Sequence, residues 1–182
     1  QNIFGPIIAS IYTQNKTELL KELYGKVTNW IIIFTLPIFW GLVLFYPALF
    51  NPTFNEYSSA YNILIILVLA KMVTASSGMD YNIFAMTGSQ NILLRLTIIT
   101  TALVLIIQYL LIPYYGGIGA SIPILLVALI RFGISFRVLK RKYGLQPYNS
   151  GTFKSIIISS FVFIGAFYFT KLNDGIMMLI IV

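Results

Sequence analysis

The chain has 182 residues, 58% hydrophobic and only 9% charged, with a formal net charge of +7. A water-soluble domain needs charge on about a quarter of its residues to wet its surface, so lipid rather than water must face much of this chain. The basic residues lie between apolar runs rather than on one polar face, which excludes a nucleic-acid binder, and with no histidine or cysteine the commonest general base and any thiolate metal site are missing.

Residues 1–13, with Pro6 and Tyr12, read as the tail of an earlier membrane span. Asn15 to Thr28 reads as an amphipathic helix. Asn15 and Glu18 have capping-box spacing, Leu19, Leu20, Leu23 and Val27 share a face, and Glu22 and Lys26 are spaced for an i,i+4 pair. This segment either lies along the cytoplasmic surface or simply extends the span that follows. A bilayer core takes roughly 20 apolar residues in a helix, and residues 30–50 fit, uncharged and with aromatic residues at both ends. Further spans are expected at about 60–86, 92–112, 118–138 and 156–169. Another begins at Ile176 and stops at Val182, too short to cross, so the chain is expected to be a fragment of a longer protein. Runs this long without period-2 alternation exclude an outer-membrane barrel. The fold class is therefore an all-α, polytopic transmembrane helical bundle.

The connections between these spans alternate in charge. Lys16, Lys21, Lys26, Arg95, Arg137, Lys140, Arg141, Lys142 and Lys154 fall on one side, Lys171 alone on the other, and Lys71 and Arg131 within the spans. The basic side, with the loops Lys16–Lys26 and Arg137–Lys154, is expected in the cytoplasm, which places the protein in the cytoplasmic membrane.

Charges inside spans are expensive and so point to function. Lys71 lies about 15 Å into its span at 1.5 Å per residue, near the midplane. On an unbroken helix Thr74, Gly78 and Asn82 share its face, with Ser89 below, making a polar stripe suited to a cavity wall. Asp80 lies on the opposite face and must pair elsewhere. Arg131 sits nearer the cytoplasmic end, where its stem allows snorkelling. For each of the three charges a structural role, such as pairing or hydrogen bonding with another helix, stands beside the functional one. Pro37 and Pro123 are candidate hinges or ordinary kinks.

Two stretches carry recognisable wording: Pro6 to Tyr12 followed by a lysine-bearing helix and Val27-Thr28-Asn29-Trp30, and Thr87-Gly88-Ser89-Gln90-Asn91 followed by Leu111-Ile112-Pro113-Tyr114-Tyr115-Gly116-Gly117-Ile118-Gly119-Ala120. Gly144-Leu145-Gln146-Pro147 after the basic loop adds a third. Together they resemble the C-terminal half of polysaccharide and oligosaccharide flippases, the O-antigen and exopolysaccharide exporters of the superfamily that also holds multidrug extrusion proteins. The Leu111–Ala120 stretch also has a mechanical sense. Pro113 is expected to stop one helix, Gly116 and Gly117 to allow a reversal, and Gly119, Ala120 and Ser121 to let the next helix pack closely.

The resemblance implies the C-terminal lobe of a 12–14-span fold that moves a glycan on a phosphate or pyrophosphate lipid by alternating access. It implies no covalent chemistry, no enzyme activity, no cofactor and no metal. The expected partners are the lipid-linked glycan, membrane lipids and an N-terminal lobe of the same protein, with no nucleic acid. Lys71, Thr74, Asn82 and Arg131 are the candidate substrate-binding residues and Asp80 the candidate for a coupling ion. The family supplies no invariant motif for these positions, so they rest on depth and charge. The alternatives are a multidrug exporter, for which acidic cavity residues would be expected, and a membrane-embedded polymerase or transferase, for which large polar loops would be expected.

Overall fold

The computed structural model describes residues 4–50 and 58–146, together with 148, 152, 154, 156–163 and 165. Among these residues every regular element is an α-helix. They are α1 Phe4–Thr13, α2 Thr17–Phe50, α3 Ser58–Ser76, α4 Asp80–Met86 and α5 Gln90–Tyr143, followed by a helical stretch, α6, at 156–163. α2 over Thr17–Val43 and α5 are long and apolar enough to cross a membrane, and α3 with α4 make a third such segment if counted as one bent span. The apolar stretch 176–182 lies outside the described residues.

α5 counts 54 residues. Straight, it would reach about 81 Å at 1.5 Å per residue, far beyond a bilayer core of about 30 Å. It does not run straight. Gly116 has φ 54° and ψ −129°, a non-helical conformation open to glycine, and the chain folds back there. The side-chain amide of Gln108 donates to the Ala120 carbonyl at 2.9 Å. A Cβ placed on Gly119 would overlap the Leu111 carbonyl, so the small residue is what lets the two arms touch. At the other end the Tyr143 hydroxyl lies 2.6 Å from both Thr87 Oγ1 and Ser89 Oγ, and Lys142 Nζ donates to Ser89 Oγ at 2.5 Å. α5 is thus a helical hairpin with arms 90–115 and 117–143, each about 40 Å long at 1.5 Å per residue. Pro113 stands inside the first arm and does not end it.

Only 11% of the most apolar window of α5 is buried within the chain. Leu94, Ile98 and Tyr109 form an exposed stripe on its first arm at helical spacing. Such a face is stable against acyl chains and not against water.

α2 carries the basic N-terminal part and the apolar segment as one helix. The helix is unbroken, and one buried stripe, Leu20, Tyr24, Thr28, Ile32, Leu36 and Phe39, runs from the basic segment into the apolar one. The segment from Thr17 to Thr28 is thus no separate helix in the fold. Asn15 does not act as a capping-box residue either. It takes a left-handed conformation at φ 52° in the turn closing α1, and Glu18 pairs with Lys21 at 2.7 Å. The expected Glu22–Lys26 pair forms, also at 2.7 Å, but it is solvent-exposed and adds little stability.

The densest core lies at the basic end. Ile8 and Ile11 of α1, Leu20 and Tyr24 of α2, Met79 with Ile83 and Phe84 of α4, and Leu139 of α5 pack together with Leu145. Leu145 reaches this core because α5 ends in a left-handed glycine cap: Gly144 is at φ 64°, its N–H donates to the Lys140 carbonyl, and the Leu145 N–H donates to the Leu139 carbonyl. Lys140, Arg141 and Lys142 occupy the last turn, where the helix dipole favours cations.

A broken span beside a polar cavity

The segment 60–86, read from the sequence as one span, is two helices bent by 44° at residues 77–79. Ser76, Ser77 and Gly78 cause the break. Gly78 is left-handed at φ 64°, and the last turn of α3 tightens through i→i−3 bonds from Ser77 to Thr74 and from Gly78 to Ala75. Inside a membrane the carbonyls freed by such a break need donors. Two tyrosines from other parts of the chain supply them. The Tyr24 hydroxyl donates to the Ser77 carbonyl at 2.9 Å, and the Tyr148 hydroxyl donates to the Ser76 carbonyl at 3.0 Å. Tyr148 is held against Phe132 and Phe136 of the second arm, and its burial there pushes the phenol up to about 12. On α2, Thr28 closes over Gly78 so tightly that a Cβ on the glycine would overlap Thr28 Oγ1.

A cavity of about 500 Å³ opens beside this break. Thr74, Ser77 and Gly78 line it from the end of α3 and Asp80 and Tyr81 from the start of α4. The hairpin adds Thr100 and Thr101 from its first arm and Arg131 from its second, over an apolar floor that includes Val104 and Val127. The walls therefore combine hydroxyls, one carboxylate and one guanidinium. Thr74 and Thr100 return their hydroxyls to the carbonyls of Ala70 and Leu96 in their own helices. Asp80 is buried and accepts the Tyr81 N–H at 2.7 Å. Ser135 Oγ faces the same carboxylate without closing a well-formed hydrogen bond, and Ser135 Oγ and Thr28 Oγ1 are buried with no partner among the described residues. The ion pairs among the described residues are Glu18–Lys21 and Glu22–Lys26, so Asp80 and Arg131 share the cavity without pairing directly.

Three of the five candidate residues thus come together: Thr74, Asp80 and Arg131. Lys71 and Asn82 do not line this cavity. Lys71 is exposed on α3, and Asn82 is half-buried on α4. The polar stripe drawn through Lys71, Thr74, Gly78 and Asn82 assumed a constant 100° per residue, and the break at 77–79 resets that rotation. The residues the sequence reading missed are Ser77, Thr100 and Thr101 on the cavity and Tyr24, Thr28 and Tyr148 around the break. The Ser-Ser-Gly run was a legible signal for the break. No local signal marks the tyrosines, which act across long sequence separations. Among the described residues no group of three or more acidic, histidine or cysteine side chains could hold a metal.

Comparison of the chain with protein-family models, with curated proteins and with solved structures finds no match.

Proposed function

We propose that this chain is the cavity-bearing lobe of an alternating-access membrane transporter whose substrate is a glycan carried on a phosphate or pyrophosphate lipid. The observation that carries the reading is the broken span, with hydroxyls, a carboxylate and a guanidinium gathered beside it in an otherwise apolar helical bundle. Discontinuous membrane helices that expose polar groups to a cavity are how transporters bind substrate away from either surface. The cavity volume of about 500 Å³ is in the range of small-ligand sites, enough for the polar head of a lipid while its tail stays among acyl chains. Arg131 replaces Lys71 as the anion-binding residue, because a guanidinium offers a bidentate fork to phosphate and this one stands on the cavity. The substrate class comes from the resemblance of the Thr87–Asn91 and Leu111–Ala120 stretches to glycan flippases. The basic end, with Lys16 to Lys26 and Arg137 to Lys154, faces the cytoplasm in this reading.

One feature favours a second reading within the same architecture. Asp80 on the cavity is what a multidrug exporter would use to bind a cationic drug or a coupling ion.

Glycan-export complementation by the full-length protein at matched membrane expression tests the proposal. Wild type restores export, Arg131→Gln abolishes it, Arg131→Lys retains part, and Lys71→Gln exports normally. Export by Arg131→Gln at the wild-type level would remove the anion site from this cavity. Absence of rescue with any glycan, together with drug resistance lost in Asp80→Asn, would replace the flippase with the exporter.

A further inference from the structure

The cavity carries one charge of each sign, which attract each other across it without forming a direct ion pair. Asp80 accepts the Tyr81 N–H and is faced by Ser135 Oγ, which still leaves open part of the roughly four acceptor sites a carboxylate offers. Arg131 makes no side-chain hydrogen bond and no ion pair among the described residues. Both groups face the same space. A purely anionic head group would satisfy Arg131 but would sit in a low-dielectric site beside a bare carboxylate, which repels it. A purely cationic ligand meets the mirror-image problem at Arg131. A ligand with an anion at one end and an ammonium a short distance away satisfies both, and its hydroxyls can meet Ser77 and Thr101 on the same wall.

Building on the flippase reading, we propose that the cavity selects a zwitterionic head: a lipid phosphate or pyrophosphate held by Arg131, whose first sugar carries a free amine held by Asp80. Asp80 is then the specificity-determining residue and Arg131 the general anion anchor. An N-acetylated or neutral sugar leaves Asp80 unpartnered and binds more weakly. One charge-assisted hydrogen bond in a secluded site corresponds to about tenfold in affinity.

The test uses the full-length protein in liposomes and two probes, a short-chain isoprenyl pyrophosphate bearing glucosamine and the same lipid bearing N-acetylglucosamine. Binding is measured at neutral pH, where most of the free amine is protonated and Asp80 is best kept as a carboxylate. Wild type is expected to prefer the glucosamine probe about tenfold, and Asp80→Asn to lose that preference while holding the N-acetyl probe at least as tightly as wild type. Arg131→Gln weakens both probes. A wild type without preference, or an Asp80→Asn variant that keeps it, overturns the inference and leaves the flippase reading standing. If Asp80→Asn binds neither probe, Asp80→Glu decides: a kept preference supports the carboxylate as the amine reader, and a lost one refutes it. Failure of the wild type to bind either probe instead brings down the flippase reading and the inference with it.

Discussion

Replacing Gly78 with alanine strikes the feature on which the site depends. Two terms add. Gly78 sits at φ 64°, where an L-residue is disfavoured by about 1–2 kcal/mol. The new Cβ would also overlap Thr28 Oγ1 and lie 3.1 Å from Thr28 Cβ, on a threonine that is fully buried and unable to swing away. Overpacking of this kind adds about 1–3 kcal/mol. The expected loss for Gly78→Ala is therefore about 2–5 kcal/mol, read as reduced thermal stability of the purified protein in detergent. Gly88→Ala is the internal control. Gly88 has nearly the same φ, 70°, with nothing within 4 Å of its would-be Cβ, so it should show the backbone term alone. Adding Thr28→Ala to Gly78→Ala should recover most of the steric term, the 3.1 Å approach to the retained Cβ at position 28 remaining, and bring the variant toward Gly88→Ala. If Gly78→Ala were as mild as Gly88→Ala, and Thr28→Ala gave no recovery, the close packing of α2 on the break would be refuted.

Other expectations follow from the same geometry. Gly119→Ala forces a methyl onto the Leu111 carbonyl and should destabilise the hairpin by about 1–3 kcal/mol. Gly133→Ala, with open space around it, should be neutral or gain up to about 1 kcal/mol; equal effects of the two in a thermal melt would contradict the close approach of the arms. Tyr143→Phe removes the hydroxyl shared with Thr87 and Ser89 and should cost about 1–2 kcal/mol, with faster amide exchange at residues 87–90; unchanged exchange would argue against that contact. For Tyr148, the phenol sits at about 12 in the folded chain against an ordinary 10.0. The folded state prefers the neutral phenol, so its contribution to stability is constant below the ordinary value and falls as pH rises from there through about 12. Tyr148→Phe should remove that part of the alkaline loss, followed by tyrosinate absorbance, and an unchanged alkaline profile would show the phenol to be freely solvated.

How much of this was legible in the sequence depended on how local the cause was. The hairpin reversal could be read because its requirements are properties of single residues, the positive φ of Gly116 and the missing Cβ of Gly119. The exposed apolar stripe of Leu94, Ile98 and Tyr109 follows from length and apolar composition in the same way. The polar site was only partly readable. Thr74 lines the cavity and Asn82 does not, because Ser76-Ser77-Gly78 interrupts the helix over which the periodicity was extended. Asp80 and Arg131 were picked out one by one, since charge in an apolar run is conspicuous. That they line a single cavity is a matter of tertiary packing between α4 and the second arm of α5. The hydroxyls of Tyr24 and Tyr148 were invisible for the same reason, as the carbonyls they meet belong to a distant break.

The central claim is that the space beside the broken span is an aqueous cavity within the membrane. The sequence holds no cysteine, so single substitutions Thr74→Cys and Thr101→Cys on the cavity and Ile98→Cys on the apolar stripe each introduce one thiol into this chain. The most direct measurement is their labelling by a membrane-impermeant, charged thiol reagent with the full-length protein in intact membranes, opened to each side in turn. The account predicts rapid labelling at 74 and 101 from at least one side, slowed by a substrate lipid, and no labelling at 98. Labelling at 98 with protection at 74 and 101 would contradict it, since the cavity would then face lipid and the apolar stripe would face water.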